Sequence, residues 1–177
     1  MTSSSFAAVI PTGAAAFTAT PSAALVKFRV ESHQEDGLRS TVRTRTFTIE
    51  VDEPPTLAGT DAAPSPVEYA LAALATCQEI SYRLHADALG VPLDGVAVTL
   101  EGEIDLRGFF GSDASVRPGF LAIHGTVTLD SPAPVAELER LRDYVNTVCP
   151  VLDLIANPTP VHIELLTPTA QTARSAA

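Results

Sequence analysis

Two cysteines, Cys77 and Cys149, carry the most reactive side chains of this sequence, and they stand 72 positions apart. One pair is too few to staple a disulfide-dense secreted scaffold. The two are therefore either redox-active or buried as small, inert hydrophobes. Redox chemistry makes a specific demand. Only a thiolate attacks an O–O or S–S bond effectively, and an ordinary cysteine, with a pKa of about 8.5, is only a few per cent ionised at neutral pH. Burial lowers that fraction further, so a reactive thiol inside a fold requires a nearby cation. Competing chemistries find less support. The four histidines, His33, His85, His124 and His162, show no metal-ligand spacing, and the cysteines form no CxxC pair. No metal and no other cofactor is expected. His85 lies eight residues past Cys77, roughly 80° off and two turns away, which makes it a poor general base for the thiol.

The elements that must position the cysteines follow from periodicity. The strongest local signal precedes Cys77: Ser65, then Pro66, then Glu68 three residues after the serine, a capping box with proline at the first helical position. The helix so opened runs to Gly90, a natural stop. Its first half, Tyr69 to Cys77, carries no charge. A helix apolar on every side is expected to be buried all round, with a partner subunit helping to cover it. Alternating segments predict strands at Leu25–Glu31 and Ser40–Val51, joined by a turn at His33–Gly37 into a hairpin. Further strands are predicted at Val96–Ile104, Phe120–Leu129 and Pro160–Leu166. Asp52–Pro66, with four prolines, reads as a loop. Val135, Leu138, Leu141 and Val145 recur at helical spacing ahead of Cys149 and Pro150, and VLDLIA adds a short helical turn. Asp105, Arg107 and Arg117 flank Phe109 and Phe110 in a loop that is either a lid or a polar loop anchored by two aromatics. Strands, a long helix, strands, a helix and a strand make an α+β protein.

Composition narrows the partners. A chain of 177 residues with 46% hydrophobic and 18% charged residues fits one packed domain, expected at 25–166 with an arm at 1–24 and a tail at 167–177. The net charge of −10 argues against nucleic acid and against an anionic membrane surface. No apolar run approaches the ~20 residues of a membrane span. The first 24 residues lack Lys and Arg, unlike a secretory signal, so a cytoplasmic protein is expected.

Three stretches resemble the OsmC/Ohr family in order: VDEPPTLAGTDAAPSPVEYALAALATC, EGEIDLRGFFG…VRPGF and CPVLDLIANPTPV. The resemblance spans roughly Leu25 to Leu166. It implies an intertwined homodimer, with antiparallel sheets packed on a long buried central helix. It also implies reduction of organic hydroperoxides by a cysteine thiolate, here Cys77, with Cys149 closing a disulfide and an external dithiol restoring both. An arginine from the N-terminal sheet region would activate the thiolate. Arg39 and Arg43 are the candidates, with Arg45 beside them and Arg29 further off; spacing selects none. Arg83 is turned about 120° from Cys77. The sequence departs from the family at one place. Hydroperoxide-reducing members carry a glutamate ten residues before the cysteine, where this chain has Val67. Glu68, nine residues before Cys77, faces the opposite side of the helix, as does Glu79 at ~200°, and Glu68 is assigned to the cap. That departure leaves room for an alternative: a dimer of the same fold that binds an apolar ligand and keeps its cysteines as structural residues.

Overall fold

The computed structural model describes residues 6–167. The long helix is the axis of the chain. Helix α2, Pro66–Leu89, starts on the expected box: Glu68 accepts hydrogen bonds from both the amide and the hydroxyl of Ser65, each at 2.7 Å. It stops at Gly90, whose left-handed φ of +72° costs a side-chain-free residue nothing. Strands β4 (Gly95–Ile104) and β5 (Phe120–Asp130) form an antiparallel hairpin in register from Gly95↔Asp130 to Glu103↔Ala122, with a shift of register before Ile104↔Phe120. Helices α4 (Val135–Val148) and α5 (Pro150–Ala156) return along α2. The core lies where these meet: Tyr82 and Ala86 of α2, Val91 and Leu93 of the following turn, and Leu141 and Val145 of α4, all at most 7% exposed. Arg83 is committed there as well, donating to the carbonyls of Leu93 and Asp94.

The N-terminal half differs from expectation in detail. Three strands rather than two make an antiparallel sheet, β1 (Glu31–Asp36), β2 (Arg39–Thr44) and β3 (Phe47–Val51), in that order. The turns sit at Gly37 (φ +57°) and at Arg45 (φ +52°), so the predicted turn segment His33–Gly37 is mostly strand and the long Ser40–Val51 run is folded in two. Arg45 tolerates its left-handed backbone beneath a cation–π contact, its guanidinium 5.0 Å from the Phe47 ring centre. Residues 25–30 and 161–166, both predicted as strands, form no ladder. Their apolar side chains stand in solvent, with Phe28 93% and Ile163 92% exposed. An alternating segment forms a strand only when it pairs with an edge, and among the described residues neither segment pairs with β1–β3 or with β4–β5. Within the region expected as an arm, Val9–Ala19 forms helix α1. The expected tail falls, apart from Thr167, outside the described residues.

The proline-rich loop is ordered by Asp52. Its carboxylate accepts from the Thr60 hydroxyl (2.6 Å), the Thr60 amide (3.0 Å) and the Ala62 amide (3.1 Å). Gly59 lies so close to Glu53 that a Cβ would sit 1.7 Å from its carbonyl oxygen. The loop between β4 and β5 contains one turn of helix, α3 (Leu106–Phe109), pinned by Arg107 to Asp105 and Asp113. Phe109 and Phe110 meet edge to face but are 66% and 65% exposed, so neither anchors the loop within the chain. Among the described residues no helix is long and apolar enough to cross a membrane.

Candidate functional site

Cys77 occupies the middle of α2, and Cys149 ends α4. The fold closes the 72-residue separation to a sulfur–sulfur distance of 3.4 Å, with the Cys149 thiol donating to the Cys77 sulfur. Both are free thiols, Cys149 buried and Cys77 half-buried. Cys149 is held from both sides. Its amide donates to the Val145 carbonyl (3.0 Å) as α4 ends, and its carbonyl accepts from the Asp153 amide (3.1 Å) as α5 begins. Pro150 explains the break: it lacks the N–H to continue α4, yet fits the first position of a new helix. The two sulfurs are thus at van der Waals contact without a bond, within reach of a disulfide after a modest side-chain rotation.

The surroundings of Cys77 oppose ionisation. Burial pushes its thiol above the ordinary range, and the neighbouring Cys149 adds to the effect. Two groups act the other way: the Val151 amide at the start of α5 and the Ser81 hydroxyl one turn along α2. No guanidinium stands among these influences. Arg39 and Arg43 share one exposed face of β2, and among the described residues neither forms an ion pair within the chain. The sequence therefore brings the two cysteines together, while a single chain does not bring the candidate cations to them. Val67 is 44% exposed and offers no carboxylate in place of the family glutamate. The expected all-round burial of the chargeless stretch is also absent in one chain: of Tyr69–Cys77 only Leu74 is buried.

Sequence reasoning passed over Ser81 and Gln78. Both are buried, at 8% and 6% exposure; the Ser81 hydroxyl acts on the Cys77 thiol, and Gln78 is its neighbour in sequence. A helical wheel drawn from Cys77 holds the signal for Ser81, since i+4 returns to within 40° of the sulfur. His85 is occupied otherwise, with its ring edge-on to Tyr144 at 5.1 Å and its basicity lowered by burial.

The family model for OsmC-like proteins matches residues 59–164, from the proline-rich loop through both cysteines. No curated protein matches the sequence significantly. Among solved structures, an OsmC-like protein from Mycoplasma pneumoniae aligns with a TM-score of 0.65 at 20% identity, over 75% of this chain and 89% of that one. An organic hydroperoxide resistance protein OsmC from Legionella pneumophila aligns at 0.59 and 24%, over 75% and 90%. A further hydroperoxide resistance protein, from Vibrio cholerae and holding captopril in one of its active sites, aligns at 0.55 and 17%, over 75% and 87%. Identities this low speak for the fold alone, an α+β arrangement of antiparallel sheets and helices. The family match covers more than half of the sequence and includes both sulfurs, and on that footing the chain belongs to the OsmC-like proteins.

Proposed function

We propose that this protein is a thiol-dependent peroxidase acting on organic hydroperoxides, with Cys77 as the attacking and Cys149 as the resolving sulfur. The observation that carries the reading is the 3.4 Å approach of two free thiols from distant parts of the sequence. The Cys77 thiolate attacks the terminal peroxide oxygen and the O–O bond breaks. The alkoxide leaves, takes a proton to become an alcohol, and Cys77 becomes a sulfenic acid. The Cys149 sulfur then attacks the sulfenic sulfur, water leaves, and a disulfide joins the two. An external dithiol reduces it back to two thiols. The hydroperoxide resistance proteins of the same fold support the substrate class by analogy.

The reading includes a homodimer. Its support is the apolar surface that one chain leaves uncovered: Leu25 (85% exposed), Phe28, Ile163 and Leu165 (84%) on two alternating segments that belong to neither sheet, and the open face of α2. Strands from a second copy would complete those ladders. The second copy would also bring Arg39 or Arg43 to Cys77, supplying the cation that its own chain does not. The cytoplasm, where dithiol reductants operate, is the compartment that fits.

Dithiol-dependent consumption of cumene hydroperoxide tests the reading. The wild type should turn over, Cys77→Ser should not, and Cys149→Ser should stop after one oxidation per chain. Turnover that survives Cys77→Ser removes that sulfur from the mechanism. Inactivity of the wild type with several dithiols would instead favour a binding protein with structural cysteines, the reading that Val67 in place of the family glutamate invites.

A further inference from the structure

Two free thiols stand 3.4 Å apart, one on the unbroken helix α2 and one fixed at the junction of α4 and α5. That separation is a bite, and its size selects what the reduced pair can hold. With bonds to sulfur of about 2.3 Å, an atom spans roughly 4.6 Å if it is linear, roughly 3.8 Å if tetrahedral and roughly 3.3 Å if its bonds meet at a right angle. The observed 3.4 Å lies closest to the last. Linear soft ions such as copper(I) are thereby disfavoured. So is tetrahedral zinc, which also needs four ligands. Among the described residues no three His, Cys, Asp or Glu side chains gather to supply them. An arsenic(III) centre has the geometry that the bite asks for. It is pyramidal, its lone pair pressing the bond angles toward a right angle. It also needs only two sulfurs from the protein, because it carries its own third substituent.

The state of the thiols favours the same occupant. Burial and the neighbouring sulfur hold the proton on Cys77, and no guanidinium stands among the influences on it. Attack on a peroxide needs that proton gone beforehand, whereas an arsenical carries it away. In water the arsenical is a dihydroxide, R–As(OH)2. Two As–S bonds form, two As–O bonds break, and the two thiol protons leave with the hydroxyls as two molecules of water. Arsenic stays trivalent and neither sulfur is oxidised, so no co-reactant is consumed. Cys77, half-buried, meets the arsenical first. Cys149, 1% exposed, then closes the ring from inside. That second bond forms within one molecule, and such a step multiplies affinity by about 10²–10⁴.

We propose that the reduced Cys77–Cys149 pair is a chelating site for trivalent arsenicals, one per chain. The proposal rests on the sulfur contact and not on hydroperoxide chemistry. The two uses exclude each other: a chelated pair has no free sulfur for a peroxide, and a disulfide has none for arsenic.

Phenylarsine oxide added to the reduced, full-length protein provides the test, with no peroxide present. Both thiols should disappear from a thiol count at one arsenic per chain. The adduct should survive excess 2-mercaptoethanol, a monothiol, and release its arsenic to 2,3-dimercaptopropanol, a dithiol. Cys149→Ser should lose the resistance to monothiol and bind about a hundredfold more weakly. Should that variant fold poorly, the monothiol challenge of the wild type still decides between one sulfur and two. Four results overturn the proposal: thiols that remain countable, an adduct that 2-mercaptoethanol strips, one arsenic shared between two chains, or equal protection of both thiols by zinc ion. Hydroperoxide consumption is measured on protein never exposed to arsenic, so a failure here leaves the peroxidase reading where it stands.

Discussion

Treating the reduced protein with diamide, a thiol-specific oxidant, should convert Cys77 and Cys149 into an intramolecular disulfide. The sulfurs need to close from 3.4 Å to about 2.05 Å, a change within the range of a side-chain rotation. The energetic consequence follows from the loop that the bond closes. For 72 residues, the chain-entropy relation removes about 15 cal/mol/K from the unfolded state, or roughly 4 kcal/mol at 25 °C. For a chain of this length each kcal/mol moves the midpoint by about 2–4 °C, so the oxidised form should melt about 10 °C above the reduced form. The assay is a pair of thermal melts by circular dichroism, with free thiols counted before each. Cys149→Ala should show one thiol and no oxidation-dependent shift. The reasoning fails if the fully oxidised protein melts with the reduced one, or if non-reducing gels show the bond between chains. Either result would mean that the sulfur contact is not the resting geometry, or that strain in the bonded form cancels the gain.

Two other substitutions probe the frame. Asp52 is held at a pKa of about 2, below its ordinary 3.8, chiefly by the Thr60 hydroxyl and the Ala62 amide. A depressed carboxyl contributes stability that is present above about pH 4 and lost as pH falls through about 2. Asp52→Asn should therefore lower the melting temperature at neutral pH, and the gap from wild type should close below pH 2; a gap unchanged with pH would remove the ionised carboxylate as its cause. Leu141→Ala, at a side chain 1% exposed where α4 meets α2, should cost about 2–5 kcal/mol in urea denaturation, and a loss under 1 kcal/mol would place the core elsewhere.

How much of this was legible in the sequence depends on whether the cause was local. The capping box at Ser65 and Glu68, the stop at Gly90, the hairpin strands β4 and β5 and the amphipathic α4 rest on short-range patterns, and the structure places them within a residue or two of expectation. The N-terminal sheet was harder. Arg45 turns the chain in a left-handed conformation that favours glycine or asparagine, so nothing in its type announced the break between β2 and β3. The segments at 25–30 and 161–166 have strand periodicity but join neither sheet within one chain, and which edge a strand pairs with is a question that no local window answers. At the site, the cysteines were evident from their scarcity. Ser81 and Gln78 were not, because buried polar residues on a helix look like ordinary surface positions until the packing around them is known.

Cys149 belongs to two helices at once, its amide spent on the last turn of α4 and its carbonyl on the first turn of α5. A sulfur mounted on such a hinge pin cannot travel far unless both rods move with it. The mobile member of the pair is therefore Cys77, whose backbone sits in an unbroken helix and whose side chain alone can swivel. If the swivel falls short, the strain passes to the angle between α4 and α5, and the state of two sulfurs would be written in the tilt of a seven-residue helix.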